Sequence, residues 1–312
     1  MATYSLLDHF NSFFKNLNPS LTFENQAATE YSAIKSLLEN PYGLASELSP
    51  KCFLQGSYKQ ETAIHTINDV DIVALCNLTF PGSGNGEKWS RDKIFDTVSA
   101  PLLANSRYRY KIRCSPTSMC IKVDLGIKVE ILPVVYSADS NGNFSKEPFY
   151  LFRPQNGGWE HGYARYHQWY LTNKNGDSKT AGRFIPTIKI FKHINRLFNI
   201  NSISFHVECL LYSLSDQLYS GSWPDIIAGI SSHIRSYTAD AWYKSKLLTP
   251  CGERGIFTAT EWDYDNWCQF HALISKIGEV ASGVISTTSE STASRGWATM
   301  LGSKYFPERI SS

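Results

Sequence analysis

The sequence predicts an α+β fold in two lobes, an N-terminal lobe built on a mixed sheet and a C-terminal lobe of helices. Three observations predict it. Apolar residues recur at helical spacing over residues 5–17 and 23–39. Short apolar runs rich in Val and Ile, bounded by turn residues, then crowd residues 45–136. From Ala181 onward the period returns to that of helices and stays there. The 312 residues suffice for one large domain or two modest ones, and the lobes divide at residues 1–150 and 151–312.

The elements follow in order. Phe10, Phe13, Phe14 and Leu17 line one helical face, and Pro19 ends that helix. Tyr31, Ile34, Leu37 and Leu38 line the next, which closes at Pro41 and Gly43. Residues 52–56 and 69–78 read as strands, the polar stretch Pro81 to Lys88 as a loop, and Ser90 as the N-cap of a helix running to about Leu103. Tyr108, Tyr110 and Ile112 alternate with basic residues, which reads as strand. The run SMCIKVDLGIKVEILPVVY reads as two strands about a turn near Asp124 to Gly126. The aromatic stretch after Tyr136 reads as loop. Helices are expected over 183–198, 204–219, 223–245 and 260–286, with STTSESTAS (286–294) as a linker.

Composition excludes several classes. A net charge of +2 is too mild for a duplex-binding surface, so there is no strong nucleic-acid signal. The seven Cys are odd in number, scattered and without a C-x-x-C, so neither a disulfide framework nor a zinc cage is expected. No long apolar run marks a signal peptide or a membrane span, and the expected setting is cytoplasmic. No P-loop and no G-x-S-x-G occurs.

The chemistry concentrates in FLQGSYKQETAIHTINDVDIVAL, residues 53–75. On a strand, residues two apart share a face, so Asp69 and Asp71 point one way while Val70 and Ile72 point the other. Two adjacent carboxylates repel and stay ionised together only around a cation, and hard oxygen ligands suit Mg²⁺ or Mn²⁺. A D-x-D pair alone is weak, but here Gly56 and Ser57 precede it, and a Gly-Ser turn brings backbone N–H groups and a hydroxyl to an anion. Two-metal phosphoryl chemistry asks for a third carboxylate. Glu130, set among apolar residues on the Ile127 to Val135 strand, is preferred to Asp124, which reads as a turn residue before Gly126. Lys189 and Lys192 are neighbours on one helix, and Ser204 is placed to cap the next. Tyr150, Phe152, Trp159, Tyr163, Tyr166, Trp169 and Tyr170 supply rings for lobe packing or, for one of them, base stacking.

The order G-S-x₄-T-x₆-D-x-D, then an acid in V-E-I-L-P-V, resembles the DNA polymerase β-like nucleotidyltransferase superfamily. Within it the chain looks most like the CD-NTases, bacterial relatives of cyclic GMP-AMP synthase and oligoadenylate synthetase. IPTIKIFKHINRLF, with Lys192 and Asn195, resembles the family helix ending in Lys-x-x-Asn, and SFHVECLLYSL resembles the next helix. RGWATMLGSKYFP, with Trp297, Gly302, Phe306 and Pro307, resembles the family's closing segment. The resemblance implies a bilobed polymerase β-like fold with the nucleotide cleft between the lobes. Gly56 and Ser57 would hold the donor triphosphate, and Asp69 and Asp71 would bind two Mg²⁺ ions (Mn²⁺ being an alternative). Glu130 would serve the ion at the attacking 2′- or 3′-hydroxyl, and Lys192 and Ser204 would grip the triphosphate from the helical lobe. NTPs would become a cyclic di- or trinucleotide that acts in CBASS antiphage defence by switching on a downstream effector protein. The sequence leaves the oligomeric state open, with a monomer as the default expectation. The third acid of the family is most often Asp, and Glu stands here. That departure keeps open a catalytically inactive nucleotide-binding protein; a nucleotidyltransferase with an RNA or protein acceptor is a separate alternative.

Overall fold

The computed structural model describes residues 6–80, 89–137, 149–153, 158–200, 203–259 and 261–306. The loop Pro81 to Lys88 and Pro307 lie outside them. In chain order the elements are α1 (Leu6–Leu17), α2 (Leu21–Leu38), β1 (Lys51–Gln55), α3 (Gly56–Lys59), β2 (Asp69–Phe80), α4 (Arg91–Ala104), β3 (Ile112–Arg113), β4 (Ile121–Asp124), β5 (Lys128–Ser137), β6 (Phe149–Arg153) and β7 (Gly158–Gly162). Then follow α5 (Ala164–Asn175), α6 (Phe184–Leu197), α7 (Ser204–Ser213), α8 (Trp223–Arg235), α9 (Ala239–Lys244), α10 (Tyr264–Ser286) and α11 (Glu290–Leu301).

Packing divides the chain into a sheet unit, residues 19–168, and a helical unit, residues 1–18 with 169–312. The sequence reading places residues 1–18 with the sheet. Their apolar face explains the difference. Phe10 and Phe13 are buried, with Phe10 edge-on to Trp297 and Phe306 at 5.3 Å each and Phe13 edge-on to Tyr305 at 5.2 Å. The boundary itself falls within α5 rather than at residue 150.

The sheet unit holds one seven-stranded mixed sheet in the order β1-β2-β5-β4-β3, with β6 paired to β5 and β7 to β6. Strands β2 and β5 run parallel, which requires the crossover through α4 and the β3-β4 pair; the other pairings are antiparallel. Period-two alternation sorts the two faces. Val70, Ile72 and Ala74 of β2 and Val129 and Ile131 of β5 pack with Ala27 and Ile34 of α2 and Phe95 and Val98 of α4. The opposite face carries a smaller cluster of Val73, Leu75, Leu132, Val134, Phe149 and Leu151. Helix α4 starts as expected, its N-cap Ser90 accepting from the Lys93 amide.

Four local expectations are corrected. Tyr108 and Tyr110 lie in turns, and only Ile112–Arg113 pairs as strand, because Tyr108 is buried beside Glu30 rather than alternating on a sheet. The aromatic stretch contains the β6-β7 pair and α5, its rings packing across the hairpin, as Phe152 does edge-on to Trp159 at 5.9 Å. The expected linker 286–294 shrinks to three residues, since Ser286 ends α10 and α11 already starts at Glu290, capped by Ser289 through the Thr292 amide. The helix over 223–245 is two, α8 and α9, each with its own side-chain cap, Ser222 and Thr238.

In the helical unit, α10 carries Trp267, Phe270, Ile274 and Ile277, all buried. Gly278 comes within 3.1 Å of Ser231 of α8 at its would-be Cβ, so the small residue sets how closely those two helices pack. Among the described residues no helix is long and apolar enough to cross a membrane.

Candidate active site

The first turn of the site is built by Gly56. Strand β1 ends at Gln55, and Gly56 takes φ +69°, a left-handed backbone that favours glycine. A Cβ there would lie 1.9 Å from Asp71 Oδ2, so this position admits no side chain while Asp71 keeps its place. Ser57 follows in the single turn α3, and its carbonyl accepts from the amides of Thr62 and Ala63, which ties the loop back before β2 begins.

Asp69 and Asp71 open β2 and share the face of Val73, away from the helix-covered core. The register sets Asp71 beside Gln55 on β1 and beside Glu130 on β5. Asp71 and Glu130 thereby pair across two parallel strands, with Asp69 two residues back on the same face of β2. Burial raises the Asp71 pKa to about 7, and the neighbouring charges of Asp69 and Glu130 add to the rise. Carboxylates crowded in this way favour a cation beside them, and an all-oxygen donor set suits Mg²⁺ or Mn²⁺.

Glu130 has two further neighbours that the sequence reading does not single out. Lys122 stands directly across from it on β4 and donates from Nζ to Oε1 at 2.9 Å. The buried thiol of Cys120 donates to Oε2 at 3.4 Å. Burial, and then Glu130 itself, push that thiol up to about 12, so it stays protonated and remains a donor. The alternation in CIKVD puts Cys120 and Lys122 on one face, which is the signal that could have found them. Among the described residues no three His, Cys, Asp or Glu side chains close on a single point as placed; Glu130 is engaged by Lys122 and Cys120 instead. The donor chemistry therefore fits a divalent ion, with Glu130 exchanging partners to reach it. Arg165 of α5 stacks over Phe53 at 4.1 Å, on the carboxylate face of β1, and was also not anticipated.

Lys192 and Ser204 belong to the helical unit. Lys192 is buried on α6 and donates to Glu208 of α7 at 2.5 Å, with both side chains under 5% exposed. Ser204 is half-buried and is the first residue of α7, not its cap: Ile203 occupies the N-cap position and makes no side-chain cap bond. The sheet unit thus brings together Gly56, Ser57, Asp69, Asp71 and Glu130, while Lys192 and Ser204 lie on neighbouring helices of the other unit.

Comparison with known proteins also divides the chain within α5, but keeps the N-terminal residues with the sheet. Residues 4–175 match the Second Messenger Oligonucleotide or Dinucleotide Synthetase domain, and residues 171–278 match the cGAS/DncV-like nucleotidyltransferase C-terminal helical domain. The chain is 23% identical to the cyclic UMP-AMP synthase of Rhodothermus marinus over 210 residues, which is 60% of this chain and 70% of that one. It is 28% identical to the cyclic nucleotide synthase CdnE01 of Staphylococcus haemolyticus over 195 residues, 54% of this chain and 64% of that one. Among solved structures, E. coli MS115-1 CdnC with ATP superposes with a TM-score of 0.70 at 15% identity, covering 96% of this chain and 98% of that one, a likeness of fold.

Proposed function

The chain belongs to the Second Messenger Oligonucleotide or Dinucleotide Synthetase family of nucleotidyltransferases, and from that premise we propose that it joins NTPs into a cyclic di- or trinucleotide. The observation that carries the reading is the carboxylate trio of Asp69, Asp71 and Glu130 on adjacent parallel strands, beside a glycine turn that makes room for Asp71. The two curated relatives, both named as cyclic nucleotide synthases, support the class of product.

In this reading Gly56 and Ser57 hold the donor triphosphate through the turn between β1 and β2. Asp69, Asp71 and Glu130 are the residues that would hold two Mg²⁺ ions. Bound there, such ions lower the pKa of the attacking hydroxyl and neutralise charge on the reacting phosphate. A ribose hydroxyl of one nucleotide attacks the α-phosphorus of another, the new P–O bond forms, and pyrophosphate leaves with the electrons of the broken bond. Glu130 accepts the hydroxyl proton. A second round on the linear intermediate closes a dinucleotide ring, and a trinucleotide ring takes one addition more before closure. Holding the carboxylates on β2 and β5 spares the site reorganisation during either round. The assignment of Lys192 and Ser204 to the triphosphate rests on the resemblance of their helices alone. So does the role of the product as an antiphage second messenger sensed by a separate effector protein.

The test is incubation with all four α-labelled NTPs and Mg²⁺, and separately Mn²⁺, followed by phosphatase treatment and mass spectrometry. A phosphatase-resistant cyclic species is expected from the natural protein. The Asp69→Asn/Asp71→Asn variant is expected to make at least about a thousandfold less. An unchanged yield from that variant would sink the site assignment. A linear or macromolecule-attached product would move the reading to another acceptor.

A further inference from the structure

Lys122 sits where the site has its surplus of negative charge. It stands opposite Glu130 in the β4-β5 register, its Nζ reaches Oε1 at 2.9 Å, and Asp69 is also within its electrostatic reach. Cys120, two residues earlier and on the same face, takes the other carboxylate oxygen. Both oxygens of a side chain longer than Asp are therefore tethered, one from β4 and one from the residue just before it. The Lys122 side chain is 58% exposed and that of Glu130 31% exposed, and an ion pair so open to water adds little to stability. Such a pair opens readily. An ammonium and a divalent ion also ask the same thing of Glu130, lone pairs from one carboxylate.

We propose that Lys122 is a built-in counter-ion that holds Glu130 ready and competes with the divalent ion for it, which makes Lys122 a positioning residue for the third carboxylate. The proposal rests on the reading of Asp69, Asp71 and Glu130 as a divalent-ion site. Ion binding turns Glu130 away from Lys122 and moves the ammonium aside, while Cys120 keeps the second oxygen in place. Lys122 thereby sets the ion affinity lower than the three carboxylates alone would give.

The test is Mn²⁺ titration of the nucleotide-free protein, followed by the electron paramagnetic resonance signal of free Mn²⁺, so that turnover does not enter. Removing one positive charge a few ångströms from a divalent ion is expected to tighten binding on the order of tenfold in Lys122→Met. Lys122→Arg keeps the charge and is expected to bind as the natural protein does, within about twofold. Unchanged or weaker Mn²⁺ binding in Lys122→Met overturns the proposal. The Asp69→Asn/Asp71→Asn variant separates the two layers. If the natural protein binds no Mn²⁺, or the double variant binds it equally well, the ion-site reading itself falls, whatever Lys122 does.

Discussion

In the sheet unit three carboxylates crowd the ends of β2 and β5, and the charges acting on Asp71 are those of Asp69 and Glu130. In the helical unit Glu208 is more deeply buried, yet it lies 2.5 Å from the Lys192 ammonium. A buried charge with its partner at hand is a stable arrangement that breaks badly when either member is lost. A cluster of like charges held by rigid strands costs stability in the empty protein and earns its keep only when a cation arrives. Depth of burial alone does not distinguish the two regions; the balance of charge does, since Glu208 has a cation at hand and Asp71 is crowded by like charges.

The largest effect that would break this contrast is the loss of product in Asp69→Asn/Asp71→Asn, expected at about a thousandfold or more without loss of fold, with thermal denaturation run alongside the assay. Next comes Lys192→Ala, which takes the ammonium away from the buried Glu208 carboxylate. Urea titration is expected to show about 3–5 kcal/mol of lost stability, most of it regained in Lys192→Met/Glu208→Leu. That recovered variant also tests the triphosphate assignment. Weaker ATP binding in it, measured by calorimetry, supports a phosphate role for Lys192, and unchanged binding removes the residue from the site.

A smaller effect should appear with pH. The Asp71 pKa in the fold, about 7, stands above its ordinary value of 3.8. The folded state therefore holds the proton more tightly than the unfolded state. Stability from this group is fully present below about pH 4 and is lost as pH rises through 7. Without divalent ions, Asp71→Asn is expected to gain on the natural protein across that window by a few kcal/mol at most, and Mg²⁺ should narrow the gap above pH 7. A lead that does not change with pH would mean Asp71 is not crowded as described. The smallest change in stability is expected for Gly56→Ala, about 1–2 kcal/mol from the left-handed backbone. Its activity should nonetheless fall steeply, because the methyl group displaces the Asp71 carboxylate. Full activity in Gly56→Ala would show that the turn tolerates a side chain.

Much of the local geometry around the candidate site is legible in the sequence. The faces of Asp69, Asp71, Val70 and Ile72 follow from the alternation of a strand, and the cap at Ser90 follows from one residue and its neighbours. Ser204 was misread because a Ser ahead of an apolar run looks like a cap, whereas α7 takes in one residue more. The start of α11 was misread because its polar first turn has the composition of a linker; the Ser289 cap and the burial of Trp297, Met300 and Leu301 hold it as a helix.

What the sequence by itself determined is therefore local: which way each side chain of a strand points, where most helices begin, and that glycine and two aspartates stand close along the chain. What only the tertiary structure decided is who meets whom. Glu130 lies beside Asp71 because β2 and β5 pair in parallel at one register, and Lys122 faces Glu130 because β4 pairs on the other side of β5. Helix α1 leaves the sheet for Trp297 and Phe306 from the far end of the chain. Periodicity is written into a few consecutive residues, but register and partner are set by the burial of whole faces, which no short window of sequence contains.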